Sequence, residues 1–319
     1  MRRTKIIKKR KNRTQKKTKK IQRGGTLIRA VEDGNALEVQ RLLDIQGIDV
    51  NHSTTNDSSV PLQSAIMYNH PEIVRLLLAV PKINVNQART DDGRTPLYIA
   101  IANNYPEMVE LLLAARGIDV NKDVMKDKIT PLYSAVLYNN PEIVELLLAA
   151  PGIDVNKATK NGETPLILAA ARGYSDIVRL LLTIPCIDVN HADNDNDTAL
   201  YIAAERGHSD IVRQLLANPN IDIIQTRTDG KTAIEAAREN GHQDIVDMLE
   251  ARLQRFAVAL LNYYAPIDSN SKDPIDSNQK DPIPRLHRHL IEYINTFPKI
   301  NPPGKGGKKT RKNKRTQYY

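Results

Sequence analysis

Few residues in this chain have the types and spacing that chemistry requires. His287 and His289 lie two residues apart, which on a helix points them to different faces and makes them a poor pair of metal ligands. Cys186 has no basic neighbour to favour the thiolate that a nucleophile needs. A phosphate-binding loop follows a strand and precedes a helix. The glycine- and lysine-rich run at 304–309 has neither pattern beside it. We therefore expect no catalysis, no cofactor and no metal site.

One five-residue segment, GIDVN, recurs at 47–51, 117–121 and 152–156, and close variants continue the series. Its Ile and Val alternate with polar residues, which predicts an extended, half-buried segment. Its Gly is expected to end the preceding helix in a left-handed conformation. Its Asn is expected to bond loop backbone groups, as Asn does in turns. The asparagines of the series are Asn51, Asn86, Asn121, Asn156 and Asn190.

Two blocks with helical periodicity lie between successive copies of this segment. In TPLYIAIANNY, the residues Leu97, Ala100 and Ile101 share one helical face. Thr95 can cap this helix, and the proline that follows suits its first turn. In PEIVELLLA at 141–149, the apolar residues share a face and the glutamates point outward. Each unit is therefore predicted to contain a short helix and a longer amphipathic helix.

The two-helix unit repeats with a nearly constant period. The prolines of the T-P-L block and its variants are separated by 35, 35 and 34 residues, at Pro61, Pro96, Pro131 and Pro165. One such unit cannot bury its apolar face alone, whereas stacked units share a continuous core. The period predicts an all-α solenoid and argues against the alternative of an irregular helical bundle.

These blocks closely resemble the ankyrin repeat, whose pattern runs G-x-T-P-L-H-x-A-A, then G-H-x-E-I-V-x-L-L-L, then G-A-D-V-N. We count seven units over 26–256, beginning near residues 26, 55, 90, 125, 159, 193 and 227. The resemblance implies a non-enzymatic scaffold that binds a partner protein along a concave face of finger loops and first helices. The family's His after T-P-L usually bonds a neighbouring loop, and here it is replaced by Gln63, Tyr98, Tyr133, Ile167, Tyr201 and Glu235.

Variable positions on that face are the predicted partner-binding residues. Units two and four are predicted to expose apolar and aromatic groups, which are frequent in binding hot spots. Because scattered apolar surface residues are common, ordinary variation among repeats is the alternative. The predicted set is Met67, Tyr68, Asp92, Arg94, Asn103, Lys126, Ile129, Leu137, Tyr138, Lys160, Glu163, Arg172 and Arg206. The resemblance also implies a modification site, because some ankyrin proteins are hydroxylated at the Asn that closes the pentapeptide.

The net charge of +9 is unevenly divided. Residues 1–23 carry 13 Lys or Arg and residues 305–319 carry 7, with no acid in either segment. The remaining 26 basic residues face 37 acidic ones, and 26 − 37 leaves −11 for the middle of the chain. Basic ends of this kind predict nuclear import or nucleic-acid contact. Their K-T-K-K and K-T-R-K sequences around a repeat domain resemble proteins of large DNA viruses that infect protists.

The segments outside the repeats leave other functions open. One alternative is a nucleic-acid-associated packaging or chromatin protein with structural repeats, and another is a substrate adaptor for a ubiquitin ligase. The predicted parts are a basic disordered tail at 1–25, the repeats at 26–256, the end of a capping helix at 257–265, a polar Pro-containing linker at 266–284, a short amphipathic helix at 285–298 and a second basic tail at 299–319.

Cysteine content and hydropathy predict the compartment. A single Cys argues against a disulfide framework and favours a reducing, intracellular environment. No apolar stretch approaches the roughly 18–20 residues that a membrane span needs. We expect a monomer in the nucleus or cytoplasm, of a host cell if the protein is viral, without membrane contact.

Overall fold

The computed structural model describes residues 26–53 and 59–264, with side chains to residue 257. The predicted tails, the linker and the amphipathic segment at 285–298 lie outside these residues. The chain divides into two compact units between Glu250 and Ala251. The first unit contains helices α1 to α13 and the beginning of α14.

The described part of the chain is all-α, and its helices form seven successive pairs, which we number as repeats one to seven. This confirms the predicted solenoid of two-helix units. The helices are α1 at 26–32, α2 Ala36–Leu43, α3 Pro61–Met67, α4 Pro71–Leu78, α5 Pro96–Ala102, α6 Pro106–Leu113, α7 Pro131–Leu137, α8 Pro141–Leu148, α9 Pro165–Arg172, α10 Ser175–Leu182, α11 Ala199–Glu205, α12 Ser209–Ala217, α13 Ala233–Glu239 and α14 Gln243–Tyr264. None of these helices is long and apolar enough to span a membrane.

Five of the first helices, α5, α7, α9, α11 and α13, begin with the predicted Thr cap. The Thr95 hydroxyl accepts a hydrogen bond from the Tyr98 N–H at 3.2 Å, which satisfies a donor that has no partner inside the helix. Proline at the first position of α5 supplies no N–H and fits the same turn. The cap recurs in the later repeats at Thr130, Thr164, Thr198 and Thr232.

The core forms because small and large apolar residues recur at fixed helical positions. First helices contact the first helices of adjacent repeats from α3 to α13, and second helices do the same from α2 to α12. Alanines at one position of the first helices are fully buried, where a methyl group lets the neighbouring helix approach closely. These are Ala100, Ala135, Ala169, Ala203 and Ala237. The second helices supply larger side chains such as Leu112 and Leu147, which are also fully buried.

Candidate functional site

The pentapeptide asparagines join each repeat to the next. Asn121 donates from Nδ2 to the Gly152 carbonyl at 2.8 Å and accepts from the Asp154 N–H at 2.9 Å. Asp119 fixes this arrangement by accepting from the Asn121 N–H at 3.0 Å. The prediction that Asn bonds loop backbone is confirmed, and the bonded backbone belongs to the following repeat. The same pair of bonds recurs at Asn51, Asn86, Asn156 and Asn190.

Finger loops on another side of the repeats are also joined in sequence. The Lys160 N–H donates to the Asp127 carbonyl at 2.9 Å, and the Asn194 N–H donates to the Asn161 carbonyl at 3.0 Å. The fingers therefore form a row in which exposed side chains of adjacent repeats are neighbours. They comprise residues 89–94 in repeat three, 122–129 in repeat four, 157–163 in repeat five, 191–197 in repeat six and 226–231 in repeat seven.

Gln63 bonds the next loop from the position that the family pattern gives to His. Its Nε2 donates to the carbonyl oxygens of Gln87 at 2.7 Å and Arg94 at 3.2 Å. Its Oε1 accepts from the Val60 N–H at 3.2 Å. The amide thus caps its own helix and holds the base of the next finger, so the loops remain joined without the His.

Tyrosines at the same position make different contacts between repeats. The Tyr98 hydroxyl lies 3.0 Å from the Tyr138 hydroxyl, and burial, with this bond, raises the pKa of Tyr98 to about 12. Tyr133 donates instead to the Glu163 carboxylate, and burial is the larger cause of its raised pKa. Tyr201 lies beneath the Arg227 guanidinium, which is 5.6 Å from the ring centroid. Each junction therefore uses a different pair of side chains.

Exposed apolar side chains gather on repeats two to four. Met67, Tyr68, Met125 and Tyr138 are 42%, 55%, 39% and 41% exposed, and we call these four residues the apolar group. Arg94, Tyr98 and Asn103 line a surface depression of about 190 Å³ together with Met67. The depression lies between repeats two and three, and Tyr98 in its wall bonds Tyr138 at the end of α7 in repeat four.

Two of the predicted exposed groups are largely covered. Ile129 is half-buried, and its backbone pairs with Val124 across the finger of repeat four, with N···O distances of 2.9 and 3.1 Å. Leu137 is also half-buried, at the end of α7. The prediction of exposure was therefore wrong for these two residues.

The predicted polar residues divide into bonded and exposed ones. Asp92 accepts from the Arg94 N–H at 3.0 Å, and the Arg94 guanidinium lies 5.7 Å from the centroid of Tyr98. Asn103 is exposed but donates to the Ile99 carbonyl at 2.8 Å. Glu163 is half-buried and accepts from Tyr133. Arg206 donates to the Ala171 carbonyl at 2.7 Å, whereas Lys126, Lys160 and Arg172 lie exposed.

Sequence reasoning missed Met125 and Arg89. Met125 adopts a φ of 63°, which is unusual for a residue with a side chain, and Lys128 in the same finger adopts 57°. This finger has no Asp-Gly or Asn-Gly pair, and that absence was the sequence signal that other residues must adopt the left-handed conformation. Arg89 lies 2.6 Å from Asp91 and 3.8 Å from the Met67 sulfur, and its hydrogen bond lowers the pKa of Asp91 to about 2.

The finger of repeat six is acidic. Asp193, Asp195 and Asp197 alternate along it, and Arg227 lies 3.0 Å from Asp197. Burial raises the pKa of Asp197 to about 6, because desolvation and the nearby carboxylates outweigh the opposing effect of Arg227. Across the ranges that the structure describes, no group of His, Cys, Asp and Glu residues is placed to hold a metal ion.

Comparisons with known proteins agree with this geometry. The family described as ankyrin repeats (3 copies) matches residues 27–124, 119–193 and 183–254, so the chain belongs to the ankyrin repeat family. Ankyrin repeats generally mediate protein–protein interaction and are typically non-enzymatic. A comparison with curated protein sequences gave no match.

Two solved structures are similar in fold. The ankyrin repeat domain of Bcl-3, described as a unique member of the IkappaB protein family, is 28% identical with a TM-score of 0.64. That match covers 70% of this chain and 97% of the Bcl-3 domain. The ankyrin repeat protein EF0377 is 30% identical with a TM-score of 0.55, over 59% of this chain and 96% of its own.

Proposed function

We propose that this chain is a non-enzymatic scaffold that binds a partner protein through its finger loops and the C-terminal ends of its first helices. One observation carries the proposal. Six large apolar side chains are exposed in the described residues, and four of them are the apolar group. Apolar side chains concentrated at one place on a surface mark interaction sites, whereas single scattered ones do not.

Three of the four residues in the apolar group already contact other side chains of the chain. Tyr138 bonds Tyr98 in the preceding repeat, and Met67 contacts Arg89 of the next finger. Tyr68 stacks against His70, with ring centroids 6.3 Å apart. Because ordering side chains on binding costs free energy, anchors that are already fixed favour tight association. The polar candidates around the group then form a rim that orients the partner.

Site-specific cross-linking tests this proposal. A photoreactive amino acid at Tyr138 should cross-link a partner protein in cells, whereas the same group at Glu145, exposed on α8, should not. The Tyr68→Ala/Tyr138→Ala variant should lose about 2 kcal/mol or more of binding free energy to the captured partner. Unchanged affinity in this variant, or equal cross-linking from both positions, would contradict the proposal.

The termini require a separate test, since they lie outside the described residues. We propose that the basic ends direct nuclear import or contact nucleic acid in a salt-sensitive, sequence-independent way. Deleting 1–25 and 305–319 should abolish salt-sensitive binding to DNA or RNA and leave partner binding intact. Loss of partner binding would favour the packaging or chromatin alternative. Copurification of cullin-complex subunits through residues 282–300 would favour the adaptor alternative.

Other parts of the hypothesis remain predictions. They are a monomeric state, a location in the nucleus or cytoplasm, and the likeness of the termini to proteins of large DNA viruses. Hydroxylation of the pentapeptide asparagines would require each side chain to leave its two inter-repeat bonds, because an enzyme must reach its carbon atoms. Mass spectrometry of tryptic peptides from the native protein would show the added oxygen, and its absence at every Asn would end this idea.

A further inference from the structure

The fingers on either side of the apolar group differ in free charge. The finger of repeat three compensates its own charges, since Arg89 lies 2.6 Å from Asp91 and Arg94 lies 3.3 Å from Asp92. An incoming charged group therefore meets little net field at this finger. The Arg94 guanidinium also covers Tyr98 and belongs to the wall of the depression.

The fingers of repeats four and five are basic. Lys126, Lys128 and Lys160 are exposed, and no described carboxylate forms an ion pair with them, whereas Lys157 lies 3.9 Å from Asp123. The backbone bond from Lys160 to Asp127 places these two fingers side by side. Asp127 is the one exposed carboxylate at their tips, so positive charge exceeds negative charge there.

The finger of repeat four also presents an apolar side chain in a strained conformation. Met125 and Lys128 have left-handed φ values of 63° and 57°, which cost free energy in residues other than Gly. In this conformation Met125 is exposed to solvent, next to the lysines of the same finger. A Cβ atom at Gly93 would lie 3.6 Å from the Met125 nitrogen, so this finger adjoins the finger of repeat three.

The finger of repeat six limits where a negatively charged partner can lie. Asp193, Asp195 and Asp197 carry one close counter-charge, from Arg227 at 3.0 Å. Carboxylates of a bound segment would be attracted over repeats four and five and repelled over repeat six. The surface thus changes from apolar to basic to acidic along the row of repeats.

We propose that the face formed by the apolar group and the fingers of repeats four and five binds an extended protein segment. In this segment, two or more apolar residues adjoin a short run of Asp or Glu. This inference rests on the proposed function. The apolar residues lie against Met67, Met125 and Tyr138, and the carboxylates lie against Lys126, Lys128 and Lys160. Helices pack about 8–10 Å apart, so repeats two to five span about 25–30 Å, which about eight or nine extended residues cover. The basic ends of this chain lack the acidic residues that such a segment needs.

A selection from a displayed library of random 12-residue peptides on the full chain tests this inference. At 150 mM salt, an ionic strength that screens non-specific attraction, the enriched peptides should combine apolar residues with an adjacent acidic run. The Lys126→Glu/Lys160→Glu variant should bind the best peptide at least about tenfold more weakly. The Lys82→Glu/Arg116→Glu variant makes the same change of charge at the first residue of one pentapeptide and just before another, and it should bind the peptide normally.

The outcomes separate this inference from the proposed function. Enriched peptides without acidic preference, or equal weakening by both charge variants, would overturn the acidic-partner inference alone. Displacement of the selected peptide by single-stranded oligothymidine or by a peptide of residues 1–25 would overturn it in favour of those ligands. No enrichment, or binding that Tyr68→Ala/Tyr138→Ala leaves unchanged, would contradict the proposed function itself.

Discussion

Two sides of the same repeats join their neighbours in different ways. At the pentapeptides, an Asn side chain bonds the backbone of the next repeat, and the same two bonds recur at five successive junctions. At the first helices and fingers, bonds to backbone are supplemented by contacts between two side chains, and the partners in these side-chain contacts change from junction to junction. Tyr98 is hydrogen-bonded to Tyr138, Tyr133 donates to Glu163, and the Arg227 guanidinium lies over the ring of Tyr201.

The difference has a physical cause. A side chain that bonds backbone does not depend on which residue the next repeat carries, so one Asn serves at every junction. A bond between two side chains requires both residues to suit each other, so each junction needs its own pair. The pentapeptide side can therefore hold the stack together uniformly while the finger side varies in shape and charge to fit a partner.

The largest expected effect comes from the core beneath both sides. Leu147 is fully buried in α8, and Leu147→Ala should cost about 2–5 kcal/mol of unfolding free energy through the cavity that it leaves. Urea denaturation followed by circular dichroism measures the loss. Glu145→Ala on the exposed face of the same helix should change stability by less than about 0.5 kcal/mol. Similar losses in both variants would contradict the assigned burial.

Breaking one Asn junction should have the next largest effect on stability and none on binding. Asn121→Ala removes two inter-repeat hydrogen bonds and should cost about 1–2 kcal/mol of unfolding free energy. Asn161→Ala, at an exposed finger tip, serves as the control and should cost less. If Asn121→Ala weakened partner binding while stability stayed unchanged, the two sides would not have the separate roles assigned to them.

Breaking one junction on the finger side should cost less stability. Tyr98→Phe removes the 3.0 Å contact with the Tyr138 hydroxyl and keeps the packed ring, so we expect a loss of about 0.5–1.5 kcal/mol. Partner affinity should fall as well, because Tyr138 loses the hydrogen bond that positions its side chain. Isothermal titration calorimetry with the captured partner measures this change, and an unaltered affinity would show that Tyr138 needs no positioning.

The smallest effect is expected at the acidic finger, where solvent around the half-buried Asp197 weakens the dependence of stability on pH that its raised pKa implies. The pKa of Asp197 is about 6 in the folded chain, above its value of about 3.9 when unfolded. Its contribution to stability is therefore fully present below about pH 3.9 and is lost as the pH rises through about 6. Asp197→Asn should remove most of the fall in unfolding free energy between pH 4.5 and pH 7, whereas Asp195→Asn, which removes only a minor cause of the raised pKa, should change it much less. Equal pH profiles for wild type and Asp197→Asn would be inconsistent with the raised pKa.

Much of the fold could be predicted from the sequence because its signals are local and repeated. The Thr caps, the prolines at first helical positions and the left-handed glycines at Gly47, Gly117 and Gly152 all appear as predicted. The direction of the Asn bonds was not predictable, since the bonded carbonyl lies about one repeat away in sequence. The repeat pattern did not specify that the Gly152 carbonyl would accept a hydrogen bond from the Asn121 side chain.

The candidate site was less predictable because exposure depends on neighbours. Ile129 was expected to be exposed and is half-buried, in a finger whose backbone pairs Ile129 with Val124. Met125 was overlooked because its residue type does not indicate the left-handed φ that it adopts in this finger. Contacts such as that of Tyr98 with Tyr138 join residues that are 40 positions apart, so periodicity alone cannot pair them.

Hydrogen–deuterium exchange of the full chain, free and bound to the captured partner, tests the central claim most directly. The account predicts new protection at residues 67–68, 122–129 and 137–138, with exchange at the pentapeptides and along α6 and α8 unchanged. Protection confined to α6, α8 or the pentapeptides would place the partner on the uniform side of the repeats and contradict the account.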